Sequence, residues 1–434
     1  MENVNPNCRA IFMGTFLLLV LGACATYTDE TREIRNNFVL ASYDLALSKL
    51  EASSLKTEGK NKLLYHLEKS SIIERMGDRK ASRSLLIEAD KTADDLYTSS
   101  VMKGAATFLV NEGVSDYSGE DYEKVAIHTM LALSFLEDQD YDSARVEAKK
   151  INSKLQEITQ AYPPEQAHYK EDAFARFLSG LVYESKQNWD DAIIDYQTAL
   201  NLYEKTYARF VTDGVPPELV SSLYNLAKKR GRNSLVKELQ SRYSSLLNSL
   251  ASQNEEAGGT VVVLHKAGKI AIKEAKEFVI PLGGQIVRFS FPYIRNSSVE
   301  PVHRLTGLTV RSSGAFISAS NAVNMNAIAY QGLEDRRTRL MLKGAARLLA
   351  KGQITYQAEK NFGPLGWLIA SIWAVSTETA DTRSWTLLPQ AFYVNRIQLK
   401  PGSHQLELKT SGRTTQLVPV KVEDGSFSIF VSKS

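Results

Sequence analysis

The densest polar chemistry in the chain lies near its end, where Glu378, Asp381, Arg383 and Trp385 fall within the stretch Thr377-Glu378-Thr379-Ala380-Asp381-Thr382-Arg383-Ser384-Trp385. A carboxylate and a guanidinium close in sequence, beside an indole, offer paired hydrogen bonds and a stacking plane to a polar ligand. The same residues serve equally as a pin, with Asp381 and Arg383 closing a turn and Trp385 buried where helix gives way to strand. No other grouping points to a reaction. The six histidines, His66, His128, His168, His265, His303 and His404, stand singly, without the i, i+4 pair of a helical zinc site. There is no G-x-S-x-G elbow, no Walker A sequence and no G-x-G-x-x-G, and Gly283-Gly284 signals only a turn. The expectation is a protein without catalytic residues, metal or cofactor; a site assembled from distant residues stays open as the alternative.

Sulfur chemistry is confined to Cys8 and Cys24. Cys24 follows an apolar run, Ala10 to Gly22, that is too short for the roughly 20 residues of a bilayer span. The run ends in Leu21-Gly22-Ala23-Cys24, which resembles a bacterial lipobox: a branched residue, two small ones, then the cysteine whose sulfur takes a diacylglycerol. That resemblance implies that residues 1–23 are a signal peptide and that Cys24 becomes the acylated first residue of the mature chain. With Cys8 discarded, the mature chain has no disulfide and no thiolate site. Ala25 is not the aspartate that resembles an inner-membrane retention signal, so the expected place is the outer membrane, on its periplasmic side.

These residues sit in an ordinary globular composition. The 434 residues allow two or three domains, 43% hydrophobic content is ample for a core, and 25 Gly with 12 Pro exclude collagenous and Pro-rich disordered chains. Against 52 Lys and Arg stand 49 Asp and Glu, a net +3 that gives no reason to expect a nucleic-acid partner.

From about Thr31 to Leu250 the apolar period is helical, with little Gly or Pro to break it. Gly180, Tyr183, Trp189, Ala192, Tyr196 and Ala199 form one unit; Leu131, Ala132, Phe135, Tyr141, Ala144 and Ala148 form another; Ile73, Gly77-Asp78, Ser82, Leu86 and Ala89 form a weaker third. The small-aromatic-small spacing resembles the tetratricopeptide (TPR) repeat, with insertions at Val114–Glu120 and Tyr162–Gln166 widening the usual period of ~34 residues. A last helical pair is expected from Glu218 to Leu250. Residues 24–250 are thus expected to form a TPR-like α-solenoid whose concave face takes another envelope protein, with Tyr141, Arg145, Tyr183 and Trp189 among the contacts.

After a polar, Gly-ended linker at 251–259 the pattern changes to strands: 260–264, 285–292 and 307–310, then a final antiparallel meander of 391–399, 405–409, 416–422 and 426–431. Residues 260–434 are expected to form a β-sandwich-like domain, making the whole α+β. A helical insertion is expected at about 320–378. On it Arg339, Lys343, Arg347 and Lys351 make a basic stripe, suited to water or to an anionic membrane surface, and Trp367 and Trp373 stand in an apolar run interrupted by Gly363, Pro364 and Gly366. That run is expected to pack in the core or, with its indoles as anchors, at an interface.

Gly119-Glu120-Asp121-Tyr122-Glu123, Tyr141-Asp142-Ser143-Ala144-Arg145-Val146-Glu147 and Ala380-Asp381-Thr382-Arg383-Ser384-Trp385 to Leu388-Pro389 together resemble a family of bacterial outer-membrane lipoproteins with TPR-like repeats and a C-terminal β domain. No activity is settled for that family, so the resemblance implies place and architecture and transfers no catalytic residue. The function expected is a periplasmic interaction scaffold in envelope assembly, tethered to the membrane through its lipid. Activation of a peptidoglycan synthase, and hydrolysis of envelope glycan or peptide, are the alternatives.

Overall fold

One turn geometry recurs through the helical half. The computed structural model describes residues 27–103, 115–161, 172–207, 214–251, 258–282, 285–295, 304–334, 360, 380–411 and 413–433. Its helices are α1 (Tyr27–Val39), α2 (Tyr43–Glu51), the single turn α3 (Ser54–Thr57), α4 (Lys62–Arg75), α5 (Arg79–Lys103), α6 (Asp121–Glu137), α7 (Tyr141–Ala161), α8 (Ala173–Ser185), α9 (Trp189–Leu202), α10 (Pro217–Lys229), α11 (Asn233–Arg242) and α12 (Ser244–Ala251). Between α1 and α2, α4 and α5, α6 and α7, α8 and α9, and α10 and α11 one residue takes the left-handed conformation: Ala41, Gly77, Gln139, Gln187 and Gly231, with φ of 60°, 97°, 57°, 59° and 64°. The next residue then donates its N–H to the carbonyl five positions back: Ser42 to Asn37, Asp78 to Ile73, Asp140 to Phe135, Asn188 to Tyr183 and Arg232 to Ala227, at 2.8–3.2 Å. This is the Schellman closure of a helix end, and it recurs at all five turns. The helical half is therefore a series of paired helices.

Small residues let the paired helices approach. Ser82, Ala144 and Ala192 occupy the same place in α5, α7 and α9, and all are buried. Gly180 of α8 is the tightest point. A Cβ there would stand 2.4 Å from two ring carbons of Tyr196, and that ring is itself fixed by a 2.6 Å bond from its hydroxyl to Glu184.

The strands are β1 (Gly259–Ala267), β2 (Lys273–Leu282), β3 (Gln285–Ile294), β4 (Leu305–Val310), β5 (Phe316–Ser318), β6 (Ser320–Asn324), β7 (Ala391–Leu399), β8 (Gly402–Thr410), β9 (Arg413–Val422) and β10 (Phe427–Lys433). They form a first sheet in the order β10-β1-β7-β6, a second in the order β5-β4-β8-β9, and a β2-β3 hairpin. Side chains alternate across the first sheet. Val261, Val263, Tyr393 and Ile397 share an apolar core with Leu308, Leu406, Leu408 and Val420 of the second sheet, while Val262, Leu264, Phe392, Val394 and Ile429 join the core of the helices. The first sheet is thus a middle layer between helices and the second sheet.

Two expectations are corrected here. The last four strands are not one meander: β7 and β10 belong to the first sheet, β8 and β9 to the second, and β10 runs parallel to β1. The Lys400-Pro401-Gly402 corner, with Gly402 at φ 142°, carries the chain from one sheet to the other, because each sheet needs an apolar face for the shared core. The segment expected to be helical from about 320 begins as a strand, Ser320–Asn324 (β6), whose Ala322 and Val323 are buried against β7 and the helices, and turns helical at 325–334. Cys24, the linker residues 252–257, Glu378, Arg339, Lys343, Arg347, Lys351, Trp367 and Trp373 lie outside the described residues. Among the described residues no helix is long and apolar enough to cross a membrane.

Gly180→Ala is expected to lower stability by about 1–3 kcal/mol through overpacking against Tyr196. Denaturant unfolding checks it, and an unchanged midpoint would show that the two helices have room to part.

Candidate functional site

The polar constellation near the end of the chain is drawn into the surface between helices and sheet. Residues 380–390 run as a strap without regular secondary structure, turning at Thr386 and Leu387, past α1, α4 and α6 before entering β7. Glu68 of α4, wholly buried, accepts the N–H of Thr386 (2.6 Å), the hydroxyl of Thr386 (2.8 Å) and the N–H of Leu387 (3.1 Å). Glu123 of α6 accepts the N–H of Trp385 (2.7 Å) and the hydroxyl of Tyr117 (2.6 Å). The Trp385 indole is 0% exposed and donates to Ser71 at 2.9 Å. Tyr27 donates to the carbonyl of Ser384 at 2.5 Å, and Arg35 donates to the carbonyls of Thr386 and Ile270. Two carboxylates thus take N–H groups that would otherwise belong to a β ladder.

Asp381 and Arg383 form a two-point ion pair, at 2.9 Å from Nε and 2.8 Å from Nη2, and Arg383 also donates to Asn61 at 3.3 Å. Its guanidinium lies 5.2 Å from the centre of the Tyr117 ring. Arg383 is buried, so its fork is directed at the strap's own turn and at α4's entry rather than at solvent.

Around the strap, acidic helix residues meet basic strand residues. Lys266 of β1 bonds Glu74 of α4 and, at 2.8 Å, Glu137 of α6. Lys433 of β10 reaches Glu74 at 3.3 Å, and Lys273 of β2 reaches Glu120 at 2.6 Å. Arg396 of β7 holds Glu184 of α8 through both Nη atoms, at 3.0 and 2.9 Å, and donates to Ser222 of α10 at 2.9 Å. Burial raises the Glu74 carboxyl, but Lys266 and Lys433 outweigh it and hold the group down to about 2. Among the described residues no cation stands within salt-bridge distance of Glu68 or Glu218, and burial lifts each to about 7. Burial and the nearby Glu120 charge also raise Glu123.

Strand alternation accounts for the basic residues. Val262, Leu264 and Lys266 share one face of β1, and Phe392, Val394 and Arg396 share one face of β7; both faces look at the helices. Lys266 and Arg396 were absent from the sequence-based set. Their signal was a cation continuing an apolar alternation along a strand, which reads as a polar position until a second charged layer is known to lie above it.

The remaining expected contacts lie on α7, α8 and α9. Tyr141 opens α7, and its hydroxyl accepts the N–H of Ile429 at 3.3 Å. Arg145 follows on the same helix, with Nε buried and without a hydrogen-bond partner among the described residues. Tyr183 is buried in α8, and Trp189 opens α9 with Lys229 3.8 Å above its ring. The structure brings Asp381, Arg383 and Trp385 together and leaves these four apart from them. A buried charge cluster that sequence reading missed is internal to the helices: His128 of α6 bonds Glu147 at 2.9 Å and Asp90 at 3.2 Å. Burial lowers the imidazole's pKa, but the two carboxylates outweigh it and the net displacement is upward. Among the described residues no group of His, Cys, Asp and Glu could hold a metal ion.

No protein-family model matches the chain, and no curated protein matches it. Among solved structures it is similar to MamA AMB-1, with 14% identity, a TM-score of 0.30 and coverage of 52% of this chain and 92% of that one. It is also similar to BtubC (BKLC) from P. vanneervenii, with 15% identity, a TM-score of 0.31 and coverage of 53% and 79%. For the apo form of RapI the values are 13% identity, a TM-score of 0.34 and coverage of 52% and 72%. Likenesses of this size say nothing of ligand or partner.

Trp385→Ala removes a fully buried indole and its bond to Ser71, and is expected to cost about 3–5 kcal/mol. Equilibrium unfolding in urea measures it; a loss below 1 kcal/mol would mean that the strap is not held by this side chain. Glu218 supplies a pH test. Its folded pKa of about 7 lies above its ordinary 4.5, so the native state keeps a proton there that the unfolded chain has lost, and stability falls as pH rises through that window. The shift corresponds to roughly 3 kcal/mol at pH 8. Glu218→Gln should therefore raise the melting temperature at pH 8 and flatten the decline between pH 5 and 7.5; a steeper decline in the variant would contradict the assignment.

Proposed function

We propose that this chain is a membrane-tethered lipoprotein on the periplasmic side of the outer membrane, anchored through Cys24, which docks envelope proteins on the outward faces of its helical hairpins. It is an α-solenoid laid over a β-sandwich-like pair of sheets, without an active site. The observation that carries this reading is the strap: with Trp385 wholly buried and Glu68 and Glu123 engaged by backbone N–H groups, the inner face of the helices is filled by the chain's own residues. Partner binding through the concave face, as expected from the repeats, then moves to the opposite side.

That side has apolar positions to offer. Val146 of α7 and Ile194 of α9 each stand five residues after the first residue of their helix and are 51% and 60% exposed, and Ile87 of α5 is exposed as well. Exposed aliphatic side chains on three successive hairpins, at Ile87, Val146 and Ile194, suit contact with an elongated protein surface better than with a small ligand. The acyl group at Cys24 supports the tether, since several chains at ~0.8 kcal/mol per buried methylene hold a protein on a bilayer.

Photo-crosslinking residues at positions 146 and 194 are expected to yield protein adducts in intact cells, and one at Leu417 on the second sheet is not. Cys24→Ser is expected to move the protein from the membrane to the soluble fraction. Retention of that variant would end the anchoring, and adducts confined to position 417 would end the assignment of the docking face.

A further inference from the structure

Charge pairs along one face of α5 join the hairpin α4–α5 to the hairpin α6–α7. Arg79 and Arg83 pair with Asp138, at the end of α6, at 2.7 and 2.6 Å, and Asp94 pairs with Lys154 of α7 at 2.8 Å. Asp90 lies between them, one turn before Asp94, and faces Nε2 of His128 of α6 at 3.2 Å. The other ring nitrogen, Nδ1, faces Glu147 of α7 at 2.9 Å. The contact with Asp90 thus joins two hairpins, and the contact with Glu147 lies inside one. The ring is 2% exposed, the Glu147 side chain 6% and the Asp90 side chain 20%. Lys150 of α7 holds the second oxygen of Glu147 at 3.0 Å, and Lys150 and Lys154 act on Asp90 only at longer range. The charges on the other elements packed against α6 go elsewhere: Arg176 of α8 pairs with Asp195, and Lys433 of β10 with Glu74 and Glu137. On α6 itself Lys124 pairs with Asp121.

We propose that His128 is a proton-operated latch between these two hairpins, closed while the ring carries both protons and open once it has lost one. An ionised carboxylate only accepts, so a ring that bonds carboxylates through both nitrogens must donate from both, and only the imidazolium can. The neutral ring keeps a single N–H. Glu147 is the more deeply buried acceptor and cannot turn to water, so the N–H stays with it. Asp90 is then left opposite a lone pair and turns outward; among the described residues it bonds no other side chain. Burial lowers the ring's pKa, but Asp90 and Glu147 raise it by more, so the latch stays closed through the ordinary 6.5 and opens as pH rises above it. Asp138 raises Arg79, and for Lys154 the lowering by burial is outweighed by Asp94 and Glu157, so these flanking cations keep their charge across that window. The latch releases the middle of the seam while its ends hold. The proposal stands apart from the docking reading, although exposed Ile87 and Val146 lie near the two carboxylates in sequence.

The test uses the full chain carrying Cys24→Ser and compares amide hydrogen exchange at about pH 6 and about pH 9, each expressed as protection relative to the unfolded chain. Protection of α5 is expected to fall about tenfold between the two, beyond any fall in α8 and α9, which serve as the reference for global stability. Asp90→Asn is expected to abolish that extra fall, because the amide accepts from the imidazolium and donates to the neutral ring. Asp90→Ala is expected to show the low α5 protection at both pH values. Nitrogen NMR of labelled histidine reads the proton directly: His128 is expected to be protonated on both nitrogens at the lower pH and on Nδ1 alone at the higher. Equal α5 protection in the parent at both pH values, a fall shared equally by α8 and α9, or a fall that persists in Asp90→Asn overturns the latch. So does a ring that is neutral at the lower pH or still doubly protonated at the higher.

Discussion

Buried charge pairing between helices and strands is the constraint on which the rest of this structure depends. Glu74, Glu137 and Glu184 come from the helical hairpins, Lys266, Lys433 and Arg396 from the first sheet, and the carboxylates and the two strand cations Lys266 and Arg396 are almost fully removed from water. Removing such charges from solvent costs several kcal/mol per ion, and the attraction between partners offsets that only when the geometry is good. The consequence is specificity of docking more than gain in stability. A sheet face with Lys266 and Arg396 on it can lie only against a helix surface that puts carboxylates at those two places. Phe174 stacking on Phe392 at 4.9 Å supplies apolar contact beside the second pair.

The strap solves a related problem. A segment crossing from helices to sheet must satisfy its backbone groups inside the protein, where water does not reach. Glu68 and Glu123 do this with carboxylate oxygens in place of ladder carbonyls, and burial raises both as a result. The cost is borne by titration: a carboxyl lifted to about 7 is partly neutral near physiological pH. The helices' inner face thereby becomes an intramolecular interface.

How much of this was legible varies with the range of the interaction. The small residues Ala144 and Ala148 and the pair Gly180 with Tyr196 follow from local spacing; the first two are buried on α7, and the pair is a close contact between α8 and α9. The turn repeat was half hidden, because Gly77 and Gly231 mark it openly whereas Ala41, Gln139 and Gln187 adopt the same left-handed backbone without a glycine to announce it. Strands were visible from alternation, but a strand's own pattern does not say which sheet it joins; β7 and β8 are neighbours in sequence and lie in different layers. The cluster of Asp381, Arg383 and Trp385 stood out as chemistry, yet whether such residues face a ligand or their own fold depends on Glu68, Ser71 and Glu123, hundreds of residues away in the chain.

The amino-acid order by itself determined the change from helical to strand period, the small residues at helix contacts and the turn-forming stretches, since each depends on neighbours a few positions apart. Only the tertiary structure decided that the first sheet would be a middle layer, that Lys266 and Arg396 would be buried cations, and that the strap would fill the helices' inner face. Those outcomes require charges distant in sequence to meet in a low-dielectric interior, and no local pattern encodes where the complementary charge will be.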